Sequence, residues 1–351
     1  MTQDKKFAAH ALLSQERRTV LRAAAGTLGW LGAGTLLPTL ASAQARTMDA
    51  AAVAAWPDRP VKLVVPYAPG GSADTLGRLV AQHLSTVFKQ PFVVENRAGA
   101  GGMIGSQQVS KAAPDGYTLV VSGIGSHVIA PAENKTYNPV TDFTHIAMFG
   151  GPPSALAVHP SLGVNNIREL IAYAKSHKEG VSWGSPGQGT HAHLLGELFW
   201  RAAGGGNTHI SYKGAGPAMA DLLAGQIPMT FSTFTSVNAH INGGKVKGLA
   251  VTSEARLPDY PNLPTFTELG FPQVTGTTWF SLSGPPGMPP ALVDKLNAEV
   301  RRGLKTDAAR QMLTKESIET KDWDAATFTA FVKKEVEKWT PLTQSVSTKT
   351  K

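Results

Sequence analysis

From residue 61 onward, short apolar runs alternate with stretches whose apolar residues recur every three or four positions. Val61-Lys62-Leu63-Val64-Val65 is β-branched and mostly apolar, as a buried strand requires. Leu76, Leu79, Val80, Leu84, Val87 and Phe88 then follow helical spacing, and Phe92-Val93-Val94 reads as the next strand, completing a βαβ unit. A helix is predicted around 104–112 and a strand over 117–121. After Pro160 the pattern resumes with a helix at 167–176, a strand at 181–183 and a helix at 190–203 that carries Leu194, Leu195, Leu198, Phe199 and Ala202 on one face. Strands at 209–211, 227–231 and 247–251 surround a helix at 217–223. Beyond Pro285 the chain reads as helical, over 292–304, 308–313 and 325–339. This alternation predicts an α/β fold with parallel or mixed sheets covered by helices. At about 150 residues per domain, 351 residues give two. Two α/β lobes joined by crossing segments, with a site between them, is the simplest architecture.

The first 43 residues differ in kind. Arg17-Arg18-Thr19-Val20-Leu21-Arg22 precedes a mildly apolar run, Ala23 to Leu40, that ends in Ala41-Ser42-Ala43. A basic start, an apolar middle and small residues at the cleavage site make an export signal, and the arginine pair resembles the twin-arginine type. Four glycines and Pro38 make the run a poor permanent membrane span. Cleavage after Ala43 removes five basic residues (Lys5, Lys6, Arg17, Arg18, Arg22) and two acidic ones (Asp4, Glu16), so the formal charge of +8 falls to about +5. The mature Lys and Arg residues form no dense run, so the basic balance does not imply nucleic acid.

Three glycine-rich turns stand out because each follows a predicted strand. They are Pro66-Tyr67-Ala68-Pro69-Gly70-Gly71-Ser72-Ala73-Asp74, Ser122-Gly123-Ile124-Gly125-Ser126-His127, and Gly184-Ser185-Pro186-Gly187-Gln188-Gly189-Thr190. Open α/β sheets bind ligands at the carboxyl ends of their strands, and the free N–H groups of helix N-termini attract anions. Loops from two lobes thus suit a carboxylate without an arginine clamp. Asp74 is expected mainly to cap its helix. Tyr212-Lys213-Gly214 offers a phenol, a cation and a flexible backbone after another strand.

Other chemistries fit less well. With no cysteine in the chain, thiolate metal sites and thiol catalysis are excluded. Gly180-Val181-Ser182-Trp183-Gly184 matches the pattern of a hydrolase nucleophile elbow, but Ser182 falls inside a predicted strand rather than on the turn after it. His191 and His193, two apart on a helix, point about 200° from each other and cannot hold one ion. Gly99-Ala100-Gly101-Gly102-Met103-Ile104-Gly105 misses the dinucleotide fingerprint by one residue. No metal, no cofactor and no catalytic residue is expected.

The sequence resembles the Bug/TctC-like receptors, the extracytoplasmic solute-binding proteins of tripartite tricarboxylate transporters. The likeness runs from Trp56 to about Trp339. It is carried by Arg59-Pro60-Val61-Lys62-Leu63-Val64-Val65-Pro66, Pro69-Gly70-Gly71 with Asp74 and Arg78, Val94-Glu95-Asn96-Arg97, and Gly99-Ala100-Gly101-Gly102. Further marks are Ala113-Pro114-Asp115-Gly116-Tyr117, Gly187-Gln188-Gly189-Thr190 with His193-Leu194, Tyr212-Lys213-Gly214, Gly225-Gln226 and Leu249-Ala250-Val251-Thr252.

The resemblance implies a two-lobe, Venus-flytrap receptor of the periplasmic binding type II class. Lobe 1 would comprise 44–157 and 277–351, and lobe 2 158–276. Its ligand would be a small organic carboxylate and its partners the permease subunits of a tripartite tricarboxylate transporter, with the receptor a monomer in the periplasm. A ligand sensor for a membrane signalling partner is the alternative, and an exported hydrolase using Ser182 a more distant one. The ligand-binding residues would be Tyr67, Ala68, Gly70, Gly71, Ser72, Asp74, Ser122, Gly123, Ser126 and His127 from lobe 1, with Ser185, Gly187, Gly189, Thr190, Tyr212 and Lys213 from lobe 2. Trp279 and Phe280 would belong to the cleft, the crossover or the core. Two departures from the family pattern bear on specificity. The stretch 227–236, acidic in many relatives, carries no carboxylate here, which disfavours an ammonium-bearing ligand. His191 stands where a small polar residue is common, and either narrows the pocket or faces solvent.

Overall fold

Two five-stranded sheets organise the chain, which a computed structural model describes over residues 50–347. The export segment expected at 1–43 lies outside the described residues. After a short helix α1 (Ala50–Ala55), the first sheet is built from β1 (Val61–Val65), β2 (Phe92–Asn96), β3 (Thr118–Gly123), β4 (Thr144–Gly150) and β10 (Phe280–Gly284), in the order β2-β1-β3-β10-β4. Helices α2 (Ser72–Phe88) and α3 (Met103–Ser110) cross between its first strands, and α4 (Ala130–Glu133) follows a π-helical turn at 125–129. The second sheet holds β5 (Ser154–Val158), β6 (Val181–Ser185), β7 (Asn207–Ser211), β8 (Met229–Thr233) and β9 (Lys247–Val251), in the order β7-β6-β8-β5-β9. Its helices are α5 (Ile167–Ser176), α6 (His191–Ala203), α7 (Ala215–Leu223) and α8 (Phe234–Asn242). The chain closes with α9 (Pro290–Leu304), α10 (Asp307–Lys315) and α11 (Ala325–Ser347).

The central strands of each sheet are buried on both faces, so successive residues of one strand enter different cores. Val61, Leu63 and Val65 of β1 pack in one cluster while Val64 joins another. Leu156 and Val158 of β5 likewise separate from Ala155 and Ala157. The sheets are mixed rather than parallel. β10 runs antiparallel to β3 and β4, and β5 antiparallel to β8 and β9. Those two strands are the ones entered from the opposite sheet, so no right-handed helical crossover fixes their direction.

Two segments pass between the sheets side by side. Residues 151–153 lead from β4 to β5, and 275–279 lead back to β10, with Thr278 N donating to Pro152 O over 2.9 Å. At Gly151 a Cβ would stand 2.0 Å from Thr278 O, so only glycine allows this approach. The lobe boundary expected after residue 157 falls inside β5. Its pairing with β8 and β9 moves the first crossing back to 151–153. The C-terminal helix α11 packs beside the crossings, where Glu335 accepts hydrogen bonds from Trp279 Nε1 (2.9 Å) and Trp339 Nε1 (3.1 Å). Among the described residues, no helix is long and apolar enough to cross a membrane.

Candidate functional site

The turns after the strands of the two sheets face one another and enclose two neighbouring cavities that share Tyr67 and Pro186. The inner one, about 40 Å³, holds no more than a few waters. It lies toward the crossings, with Thr278 and Phe280 in its wall. The outer one, about 290 Å³, lies between the turns that follow the edge strands β2 and β7, on the side away from the crossings.

Three helices begin at the inner cavity: α2 at Gly71 and Ser72, α6 at Thr190 and His191, and α7 at Ala215. The first N–H groups of a helix have no intrahelical acceptor, and together with the macrodipole they make a weakly positive end. Neither Asp, Glu, Lys nor Arg lines this cavity, and burial pushes the imidazole of His191 down to about 3, with Lys338 adding to the shift. A neutral wall with three helix N-termini favours a small anion held by hydrogen bonds.

The first turn keeps its shape through Asp74. Its carboxylate accepts from Gly70 N (3.3 Å), Arg78 Nε (3.0 Å) and Asn96 Nδ2 (3.0 Å), and the same Asn96 amide donates to Tyr67 O. Burial opposes ionisation of Asp74, but Arg78, Asn96 and the Gly70 N–H outweigh it and hold the carboxyl below its ordinary range. Asp74 lines neither cavity and acts as a brace. Tyr67 sits between the cavities and donates to Gly101 O over 3.1 Å. Burial drives its phenol well above the ordinary value, against the lowering effect of Ser126, so it stays a donor.

On the second-sheet side, Thr190 caps α6. Its hydroxyl accepts from His193 N (3.2 Å) and donates to Gly187 O (2.7 Å). Tyr212 donates to Asp221 (2.7 Å), and burial, reinforced by that carboxylate, pushes the phenol up to about 12. Lys213 is exposed at the outer cavity, where its backbone carbonyl accepts from Ala68 N over 2.9 Å. Ser72 Oγ and Thr233 Oγ1 lie 2.6 Å apart, a second bond between the turns of the two sheets.

Of the sixteen expected ligand residues, Tyr67, Gly71, Ser72 and Thr190 line the inner cavity, and Tyr67, Gly187, Tyr212 and Lys213 the outer one. Ala68, Gly70 and Gly189 lie at the seam without lining either cavity. Ala68 bonds Lys213, Gly70 faces Gly216, and a Cβ on Gly189 would touch Ala130. Ser122, Gly123, Ser126, His127 and Ser185 are set behind the wall. β3 runs two residues further than its apolar run, so Ser122 and Gly123 belong to the strand rather than the turn, and Ser122 Oγ pairs with Ser281 (2.7 Å) and Ser283 (2.6 Å). The π-helical turn then directs Ser126 and His127 inward, where Ser126 Oγ meets His127 Nδ1 and the ring packs 4.3 Å from Phe143. Ser185 Oγ pairs with His209 Nε2 at 2.7 Å.

Residues the sequence reading did not choose also form the walls. Gly125, Pro186, Ala192, Ala215, Thr233 and Thr278 enter the inner cavity, and Gly99 to Gly102 the outer. The Gly99 turn follows β2 as the chosen turns follow their strands, and that placement is the signal that marks it. His191 is buried at the inner cavity, while His193 lies against Trp183 and His209, so the two rings diverge as their spacing requires. Ser182 sits inside β6, paired with Thr208.

Two mixed α/β sheets joined by crossing segments, with cavities between their strand ends, define a two-lobe solute-binding receptor of the periplasmic binding class. The family model described as "Tripartite tricarboxylate transporter family receptor" matches residues 76–347, and the chain belongs to this family. It is 33% identical over 303 residues to Protein BugT of Bordetella pertussis, covering 84% of this chain and 92% of BugT. The R. palustris protein Rpa4515, solved with adipate, is similar at 32% identity and a TM-score of 0.79, over 83% of this chain and 98% of that one. MatC (Rpa3494) from Rhodopseudomonas palustris, solved with bound malate, aligns at 30% identity and a TM-score of 0.78, over 82% of this chain and all (100%) of its own. The family is one of receptors rather than enzymes.

Proposed function

We propose that the chain is an exported receptor that captures a small organic carboxylate between its lobes and delivers it to the permease subunits of a tripartite tricarboxylate-type membrane transporter. The observation that carries this reading is the convergence of the N-termini of α2, α6 and α7 on one cavity with no charged side chain in its wall. The malate and adipate in two similar receptors support a carboxylate. The missing acidic side chain argues against an amino acid, whose ammonium group would need one. The ligand closes the lobes, and the closed form is the one the permease accepts. The contacts Ala68 to Lys213 and Ser72 to Thr233 are bonds of that closed form.

Thermal shift against dicarboxylates, tricarboxylates, amino acids and sugars tests the ligand class. A carboxylate at 100 times its Kd should add about 2.7 kcal/mol. Silence with every carboxylate beside a clear response to a sugar or a cation would overturn the reading. Export is tested separately by sequencing the N-terminus of the periplasmic protein. It should begin at Gln44, and an intact Met1 there would contradict cleavage.

A further inference from the structure

We propose that His191 is a specificity-determining residue, a rigid wall that closes the crossing end of the inner cavity and limits the length of ligand accepted there. The proposal rests on the carboxylate reading above and concerns a residue that touches the ligand by bulk rather than by charge.

Three restraints fix the ring. Its Nδ1 bonds Thr278 Oγ1 at 3.0 Å, on the segment that returns from the second sheet to the first. It packs edge-to-face with Trp339 on α11, with centroids 5.0 Å apart and planes at 81°. Behind it stands Gly276, where a Cβ would lie 2.9 Å from both Cε1 and Nε2. Even an alanine there would push against the ring, so the imidazole has no room to swing away from the cavity. The side chain is 1% exposed and lines the inner cavity. A ligand whose carboxylate sits over the helix N-termini is bounded on one side by Tyr67, which stands between the two cavities and donates to Gly101 O. Toward the crossings it meets a fixed ring, which admits a short chain and turns away a longer one.

Calorimetric titration of wild type, His191→Ala and His191→Leu tests this with two homologous series, succinate to adipate and acetate to hexanoate, and the ratio of short to long is read in whichever series binds. Wild type should favour the short acid over one two methylenes longer by about tenfold or more. His191→Ala should shift that ratio about tenfold toward the long acid, the scale of two buried methylenes. His191→Leu keeps bulk without the imidazole and should preserve the wild-type ratio, so the proposal stays testable if the alanine variant folds poorly. An unchanged ratio in His191→Ala, a collapsed one in His191→Leu, or equal binding of short and long acids by wild type overturns the proposal while leaving the receptor reading standing. Wild type that binds neither series removes the carboxylate reading and this one with it.

Discussion

Gly216→Ala should weaken carboxylate binding by about 10- to 100-fold while leaving the unliganded protein folded and within about 1 kcal/mol of its original stability. Gly216 belongs to the first turn of α7, and its φ is not among the left-handed glycines, so its backbone accepts alanine. The obstacle lies across the cleft. A Cβ on Gly216 would stand 2.3 Å from the backbone oxygen of Pro69 and 3.7 Å from Gly70 Cα, on the turn between β1 and α2. No rotamer change relieves a clash between a Cβ and a main-chain oxygen, so the two turns must part. Parting stretches the nearby Ala68 to Lys213 and Ser72 to Thr233 bonds. On the proposed opening of the lobes the same atoms separate, and the methyl group then costs nothing. The substitution thus lowers the population of the closed state alone, and apparent affinity falls in proportion. Titration calorimetry with the tightest ligand of the panel, beside a thermal melt of the free protein, reads both halves. Unchanged affinity would show that the turns need not meet for binding.

Such a position is invisible in the sequence, and the contrast with what was legible is physical. β1, β9 and α5 are readable because Val61–Val65 and Lys247–Val251 are compact apolar runs and Asn166 caps Ile167–Ser176 by accepting from Glu169 N. β5 and β10 are not, because their cores are made of small or polar residues. Ser281 and Ser283 alternate with Phe280 and Leu282 as if half of β10 faced water, yet all four are buried, and Ser122 supplies the hydroxyl partner for both serines. The turns of the site were legible as glycine-rich segments after strands. Which residues of those turns reach the cavity was not, since that depends on where β3 ends and on the π-helical turn behind it. Thr233, Thr278 and His191 come from three distant segments that only the meeting of the two sheets brings together. His191 shows the limit most clearly: the sequence left both narrowing the pocket and facing solvent open, and the ring is buried at the inner cavity against Trp339.

Lowering the pH from 7.5 to 5 should remove roughly 4 to 8 kcal/mol of folding stability, a large share of the 5–15 kcal/mol typical of a domain. Burial is the leading cause of the depressed values of four imidazoles, to about 4 for His145 and His193 and about 3 for His191 and His209. His127 is lowered in the same direction. An unfolded histidine takes up its proton near pH 6.5, whereas these rings refuse it until pH 4 or below. Between those limits the unfolded chain binds more protons than the folded one, so stability rises with pH and is lost as the medium is acidified. At pH 5 one such ring costs about 2 kcal/mol. The carboxylates held low in the fold, Asp74 and Glu95 among them, add little in this window, because both states remain largely ionised at pH 5. Glu197 and Glu316, raised by burial, act in the opposite sense and offset part of the loss. Urea unfolding at pH 7.5, 6 and 5 measures the slope, which counts the protons taken up on unfolding. His193→Gln should lower that count by about one at pH 5, since His193 is buried against Trp183 and His209 without a charged partner closer than Glu197 at 3.8 Å. A flat profile from pH 7.5 to 5 would mean that these rings take up their protons in the fold at the same pH as in the unfolded chain. His191 at the cavity would then carry a positive charge by pH 5 and add a coulombic attraction for the anion to that of the helix N-termini.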